Sequence, residues 1–381
     1  MVALMMKNLN KIIFWFLSVI ACSILILGAG LFFIIDKPSA LLKFLFDYQI
    51  IKENYFRDID DNTLFNGATS GMVSSLGDPH SVFLSGEKYE DFMQSTSGEY
   101  GGIGVVIGAD KSNAIHILSV FPDSNAEKSG VKAGDVILKI DGEDVSSLNL
   151  QEVSSKVRGQ AGTEVSLDIE RGSDHLTISV ERSNVTMPTV QSRMIDNDIG
   201  YIHIFSFSKH TSDEFKSQLD SLKDKGAVKL IIDLRMNPGG MVDTVVSIMN
   251  QILTKGTVLS YHTKDGDNKN FDITGVEQPM PLAVLIDKNS ASASEILAGA
   301  VQDKKEGIIV GETSYGKGTV QSVIPNGEKS ALKVSIAEYR TAAGRVIDQV
   351  GIIPDVTIEQ TGHIFDMSDD NVLSKAIELL K

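Results

Sequence analysis

Two short stretches of this chain hold residues whose types and spacing suit acyl-transfer chemistry. In Asn289-Ser290-Ala291-Ser292-Ala293-Ser294-Glu295-Ile296 a serine stands between two alanines, where an apolar strand predicted over Leu282 to Ile286 gives way to a helix. In Gly316-Lys317-Gly318-Thr319-Val320-Gln321 a lysine stands between two glycines. Small neighbours leave the hydroxyl open to a substrate, and glycines let backbone approach the amine. A serine hydroxyl is a poor nucleophile until a base takes its proton. A lysine, with an ordinary pKa of about 10.4, serves as that base only when brought down to roughly 7–8 by desolvation or neighbouring positive charge. Apart from Lys317, Thr313 to Val323 is uncharged, which suits desolvation. Gln321 can accept a hydrogen bond from the amine and orient it without adding charge. Serine with lysine is a known variant of the serine triad. Taken singly, the first stretch reads equally well as serine helix caps and the second as a tight loop.

A third stretch supplies what such a pair needs. Leu230-Ile231-Ile232-Asp233-Leu234-Arg235-Met236-Asn237-Pro238-Gly239-Gly240 reads as a buried strand entering a Pro-Gly-Gly turn, with a helix over Met241 to Leu253. Backbone N–H groups freed at such a turn can cradle a developing oxyanion. The chain has no Gly-Lys-Ser/Thr and no Gly-x-Gly-x-x-Gly, so a phosphate loop is disfavoured.

With these motifs in order, the chain resembles the carboxyl-terminal processing peptidases, the tail-specific Ser–Lys proteases. The likeness runs from Phe44 to Val356 and includes Gly77-Asp78-Pro79-His80-Ser81, Tyr100-Gly101-Gly102-Ile103-Gly104, Lys132-Ala133-Gly134-Asp135 and Gly351-Ile352-Ile353-Pro354-Asp355. The resemblance implies a serine endopeptidase with Ser292 as nucleophile, Lys317 as general base and Gln321 positioning that base. It places the oxyanion donors on the backbone of Ala293 and of Gly239 or Gly240, and requires neither cofactor nor metal. His80 stands where tyrosine is commoner in the family, and is expected to lie well away from the chemistry.

The elements that must position these residues suggest a multidomain α+β chain: an N-terminal transmembrane helix, a helical segment, a β-rich PDZ-like domain and an α/β Ser–Lys protease domain. The expected boundaries are 1–36 for a cytoplasmic stub and anchor, 37–98 for the helical segment, 99–183 for the PDZ-like domain and 184–381 for the catalytic domain. Within the PDZ-like part, the resemblance makes Gly101, Gly102, Ile103 and Gly104 the loop that receives a substrate's C-terminal carboxylate. An extended tail would add as a strand to the sheet edge. Ile103 and the Leu148-Leu150-Val153 helix are candidates for the last-residue pocket, implying apolar tails. Arg158, on a loop after that helix, is a candidate regulatory residue, because relatives place a basic residue near here facing the protease domain. The family also includes dimers.

Composition narrows the remaining classes. The 381 residues carry a net charge of −15, which argues against nucleic acid as a partner. Seven histidines are scattered without His-Glu-x-x-His, against a zinc hydrolase. A single cysteine, Cys22, excludes an internal disulfide. Residues 12 to 35 form a run of 24 without a charge, preceded by Lys7 and Lys11. That run is long enough to cross a hydrocarbon core of ~30 Å, and the lysines set the N-terminus inside. The expectation is a single-pass protein of the cytoplasmic membrane with its catalytic part outside, and an uncleaved anchor rather than a signal peptide. The rival reading from another class is an inactive, membrane-tethered PDZ scaffold.

Overall fold

The structure is a computed structural model that describes residues 15, 37–110, 114–364 and 369–381. The chain divides after Ser75 into two compact units, the second running from Leu76 to Lys381.

In the first unit, helices Pro38–Asn54 and Asp61–Ser74 form a pair. Asp60 caps the second helix by accepting from the Thr63 N–H. Tyr48 stacks on Phe65 and donates to Asp61, which also receives the Lys52 amine at 2.6 Å.

The expected transmembrane helix corresponds to residues outside the described set. Among the described residues no helix is long and apolar enough to cross a membrane. The helix that follows that run, Pro38–Asn54, has 17 residues and carries Lys43, Asp47, Lys52 and Glu53, too short and too charged for a hydrocarbon core. The fold class is therefore corrected to a mixed α/β multidomain protein without a membrane-spanning element among the described residues.

The second unit contains a PDZ-like barrel and the catalytic domain. The barrel is an antiparallel sheet in the order Val105–Ala109, Ile115–Val120, Val136–Ile140, Glu164–Arg171, Asp174–Glu181. Its strand Val105–Ala109 lies at the sheet edge, beside the capped helix Leu150–Val157. Ile103, Ile117, Ile140, Val153 and Leu167 fill its core. A short ladder of Glu99–Gly102 with Ser183–Thr186 closes its two ends.

The catalytic domain is built on a six-stranded sheet. Val190–Ile195 runs antiparallel to Ile199–Ile204, which is followed by Lys229–Asp233, Leu282–Ile286, Ile308–Gly311 and Val356–Thr357, all parallel. Alternate residues of the central strands enter two different cores. Leu230, Ile232, Val284 and Ile286 pack under helices Thr211–Asp224, Val242–Ile252 and Ala293–Lys304. Ile231, Ala283 and Leu285 pack under helix Asn371–Leu380. Burial on both faces explains why these strands read as unbroken apolar runs.

One part of the expected helical segment is extended. Val82–Ser85 is a strand and pairs with Ser330–Thr341 in a second, antiparallel sheet. The same long strand pairs with Thr319–Pro325 and Gly256–Thr263. This second sheet carries Gln321 and the wall of the site.

Candidate active site

Ser292 stands at the tight turn between strand Leu282–Ile286 and helix Ala293–Lys304, with φ 55° and ψ −112°. An L-residue reaches that backbone region only under strain, and strain of this kind gathers at functional sites. A strained strand-to-helix turn is a setting that can present a serine hydroxyl to a substrate.

The surrounding hydrogen bonds over-determine the turn. The Ser290 hydroxyl donates to the Leu234 carbonyl at 2.8 Å. The carbonyl of Asn237 accepts from the Ala291 N–H and the Ser294 hydroxyl, while its side-chain amide donates to the Ile204 carbonyl. The Pro-Gly-Gly turn is thereby fixed against the serine. A Cβ on Gly239, whose φ is +100°, would lie 2.8 Å from the Ser292 Cβ and 2.9 Å from the Ala293 nitrogen. The Gly239 N–H is already given to Asn237 Oδ1 at 2.8 Å. Gly240, at φ +147°, runs so close to the Phe207 carbonyl that a Cβ would sit 2.2 Å from its oxygen.

Behind the turn, strand Lys229–Asp233 ends in a buried ionic cluster. Arg235, 1% exposed, donates to Asp233 and Asp370, and Tyr201 donates to Asp233 at 2.8 Å. Asp370 also caps the C-terminal helix, so one arginine ties that helix to the strand that leads into the turn.

A residue not singled out from sequence joins the two catalytic segments. Glu295 is fully buried, and its carboxylate accepts from the Ser292 N–H at 2.7 Å, the Ser314 hydroxyl at 2.7 Å, the Gly316 N–H at 2.6 Å and the Lys317 N–H at 2.9 Å. Burial pushes its carboxyl above the ordinary range, against the pull of these donors. The Tyr339 hydroxyl lies against the carbonyls of both Lys317 and Ser292. Ser292 and Lys317 are thus clamped through their own backbones. The Ser-x-x-Glu spacing of a capping box was the available signal for Glu295.

Ser292, Lys317 and Gln321 all line one cleft of about 720 Å³, together with Gly239, Gly240 and Lys333. Lys317 is half-buried, and burial holds its amine below the ordinary lysine range. The Lys333 charge adds to that effect, while Asp78 and Glu295 oppose it. Lys333 reaches the cleft through pairing of its strand with Val82–Ser85 and Thr319–Pro325, a neighbour invisible along the chain. Gln321 donates its amide hydrogens to the Thr319 carbonyl, the Thr319 hydroxyl and the Ser335 hydroxyl, which leaves its Oε1 as the acceptor. Among the described residues no hydrogen bond joins Ser292 to the Lys317 amine or that amine to Gln321. Catalytic hydrogen bonds commonly tighten only around substrate.

His80 does not line the cleft, yet it feels the charge there. Burial lowers its pKa, and the Lys317 charge lowers it further. It therefore stands within electrostatic reach of the chemistry. The strand Val82–Ser85 that follows it carries the Gly-Asp-Pro-His-Ser turn to the catalytic sheet, where Ser81 accepts from the Ser335 N–H at 3.0 Å.

In the PDZ-like domain a groove of about 230 Å³ lies between the edge strand and helix Leu150–Val157. Gly102, Ile103, Gly104, Leu150 and Arg158 line it. Ile103 is 1% exposed and belongs equally to the core beneath. Gly101 is not in the lining; its carbonyl accepts the Gly159 N–H, and a Cβ there would lie 2.0 Å from the Gly159 oxygen. Val153 is fully buried below the groove.

A strained serine and a half-buried lysine in one cleft, beside a peptide-sized groove on a PDZ-like barrel, define a serine-type peptidase with a PDZ domain. The comparisons agree: residues 198–358 match Peptidase family S41, residues 116–171 match the PDZ domain, and residues 35–88 match the Activating protease CtpB N-terminal domain. The chain is 38% identical over 322 residues to a carboxy-terminal-processing protease of Bartonella bacilliformis, covering 82% of this chain and 74% of that one. It is 36% identical to the carboxy-terminal processing protease CtpA of Bacillus subtilis, with coverages of 82% and 67%. Among solved structures it resembles a photosystem II D1 C-terminal processing protease, with TM-score 0.50, 28% identity and coverages of 82% and 86%. This chain belongs to the carboxy-terminal processing protease family.

Proposed function

We propose that the protein is a tail-specific serine endopeptidase acting on proteins outside the cytoplasm. The PDZ groove receives the C-terminal end of a substrate, which adds as a strand beside Val105–Ala109. Apolar lining by Ile103, Val105, Leu150 and Val157 supports a preference for apolar tails. In the cleft Ser292 Oγ attacks the scissile carbonyl while Lys317 takes its proton. Gln321 Oε1 orients the amine, and the N–H groups of Ala293 and Gly240 receive the oxyanion, since the Gly239 N–H is engaged by Asn237. Lys317 then gives the proton to the leaving amine, and water hydrolyses the acyl-enzyme by the same route. The location rests on sequence alone, on the charge-free run 12–35 behind two lysines, and is checked by protease accessibility of the catalytic part in intact cells.

The observation that carries the catalytic reading is the clamp of Ser292 and Lys317 by Glu295, at one edge of the cleft both residues line. The test is to incubate the enzyme and its Ser292→Ala and Lys317→Ala variants with an unfolded protein ending in apolar residues or in Asp-Asp. Mass spectrometry reads the fragments. Cleavage by the wild type alone, faster with the apolar tail, is expected; equal cleavage by either variant sinks the assignment.

A further inference from the structure

Two lysines in the catalytic cleft have no part in the proton transfer described above. Lys333 is half-buried, stands opposite Val323 in the hairpin and holds its amine 5.2 Å from the centre of the Phe92 ring. Lys269 is exposed and lies 5.2 Å over Phe271 and 5.8 Å over Tyr261. Both lysines and all three rings line the cleft that contains Ser292. A cation over an aromatic face is held in place while its head stays available.

Neither ammonium forms a salt bridge among the described residues. Asp78 acts on the Lys333 charge from a distance, but its oxygens already accept from the His80 N–H at 2.9 Å and the Ser81 hydroxyl at 2.5 Å. Among the described residues Asp243 is the one acidic side chain in the lining, and it is exposed. In a chain with a net charge of −15, a cleft lined by two unpaired lysines runs against the overall composition. An ammonium drawn partly out of water without a counter-ion is half of a pair, and a bound carboxylate completes it.

We propose that Lys333 and Lys269 are specificity-determining residues that favour substrate segments with an Asp or Glu side chain beside the scissile bond. The inference rests on Ser292 marking the point of cleavage. It concerns the cleft and is independent of what the PDZ groove reads.

The experiment uses fluorescent peptides with Glu or Gln flanking the cleavage site, each built with an apolar or an Asp-Asp tail. Their affinities are measured on the full chain carrying Ser292→Ala, with and without Lys333→Gln, and kcat/KM is measured on the active forms. The Glu peptide should bind roughly five-fold better than the Gln peptide at low salt, with the advantage fading as salt rises. Lys333→Gln should cut the ratio to about two and Lys333→Gln with Lys269→Gln should bring it close to one, while the Gln peptide's affinity stays nearly unchanged, and Lys333→Arg should restore the ratio. The ratio compares two substrates on one enzyme, so any change in the proton affinity of Lys317 cancels. A Glu-to-Gln ratio near one in the parent, or one that Lys333→Gln leaves unchanged, overturns the proposal. Failure of tail recognition shows separately, as affinities indifferent to the tail.

Discussion

The two functional regions are built to different tolerances. Around Ser292 nearly every supporting atom is out of solvent: Asn237, Ser290, Ala293 and Glu295 are all fully buried, and each but Ala293 has its polar side-chain groups hydrogen-bonded. The PDZ groove has buried Ile103 and Val157 in its lining, but the rest of its apolar wall is half-buried or exposed, with Leu150 37% and Met187 41% exposed. The difference follows from what each must do. Acyl transfer loses about a hundred-fold for a misplacement near 1 Å, which suits the closed network that fixes Ser292, the proposed nucleophile. Tail capture by strand addition draws on backbone hydrogen bonds and apolar contact, which tolerate variation. Mutations at the site should therefore act on kcat, and mutations in the groove on KM.

The sharpest break in that comparison is removal of either catalytic side chain. Ser292→Ala and Lys317→Ala should each lower kcat by roughly 10⁴-fold or more, with little change in substrate affinity. Steady-state kinetics on a tailed peptide checks this, and a groove variant should never approach such a loss.

Next in size is Glu295. Ala at this position strands buried donors on both catalytic segments, at about 1–3 kcal/mol for each donor left unsatisfied. A clear fall in melting temperature is expected. Glu295→Gln keeps the shape but turns an amide NH₂ toward backbone N–H groups. It should fold, yet lose about 10²-fold in kcat through displacement of Ser292 relative to Lys317. A Gln variant of wild-type kcat would show that the clamp does not position the pair.

The groove should respond more mildly. Leu150→Glu places a charge where an apolar tail is proposed to lie, and should raise KM for apolar-tailed substrates about ten-fold with kcat held. Substrates ending in Asp-Asp should be nearly unaffected. Equal losses on both substrates would mean that the groove supports the fold rather than reading tails.

How much of this was legible along the chain depended on whether the signal was local. The parallel strands were readable because burial on both faces forces apolar runs, as in Leu230 to Ile232 and Leu282 to Ile286. Ser292 and Lys317 stood out because their neighbours had to be small. The strand Val82–Ser85 was not legible, since along the chain the Gly77-Asp78-Pro79 turn marks only an interruption of the helical pattern, and the four residues become a strand only by pairing with Ser330–Thr341. That pairing brings His80 within electrostatic reach of Lys317 and gives Lys333 its place. What sequence missed was therefore the electrostatic setting of the base. Desolvation was foreseen from the uncharged flanks of Lys317, whereas the added cation arrives from another strand.

That setting makes the smallest but most specific prediction. With Lys317 as the proposed base its free amine is the active form, so kcat/KM should rise with pH through a midpoint below the ordinary lysine value. Burial lowers that midpoint first and the Lys333 charge second, while Asp78 and Glu295 hold it up. Removing the cation in Lys333→Gln favours the protonated amine and must move the midpoint upward. Read on the Gln-flanked peptide, the variant should lose about two-fold at neutral pH and recover fully at high pH. A loss of the same size at every pH would point to distorted geometry rather than charge. Asp78→Asn should shift the midpoint the other way, because it removes an anion that stabilises the protonated amine. Opposite shifts from two residues that never touch Ser292 would show that the base is tuned by the second sheet as well as by burial.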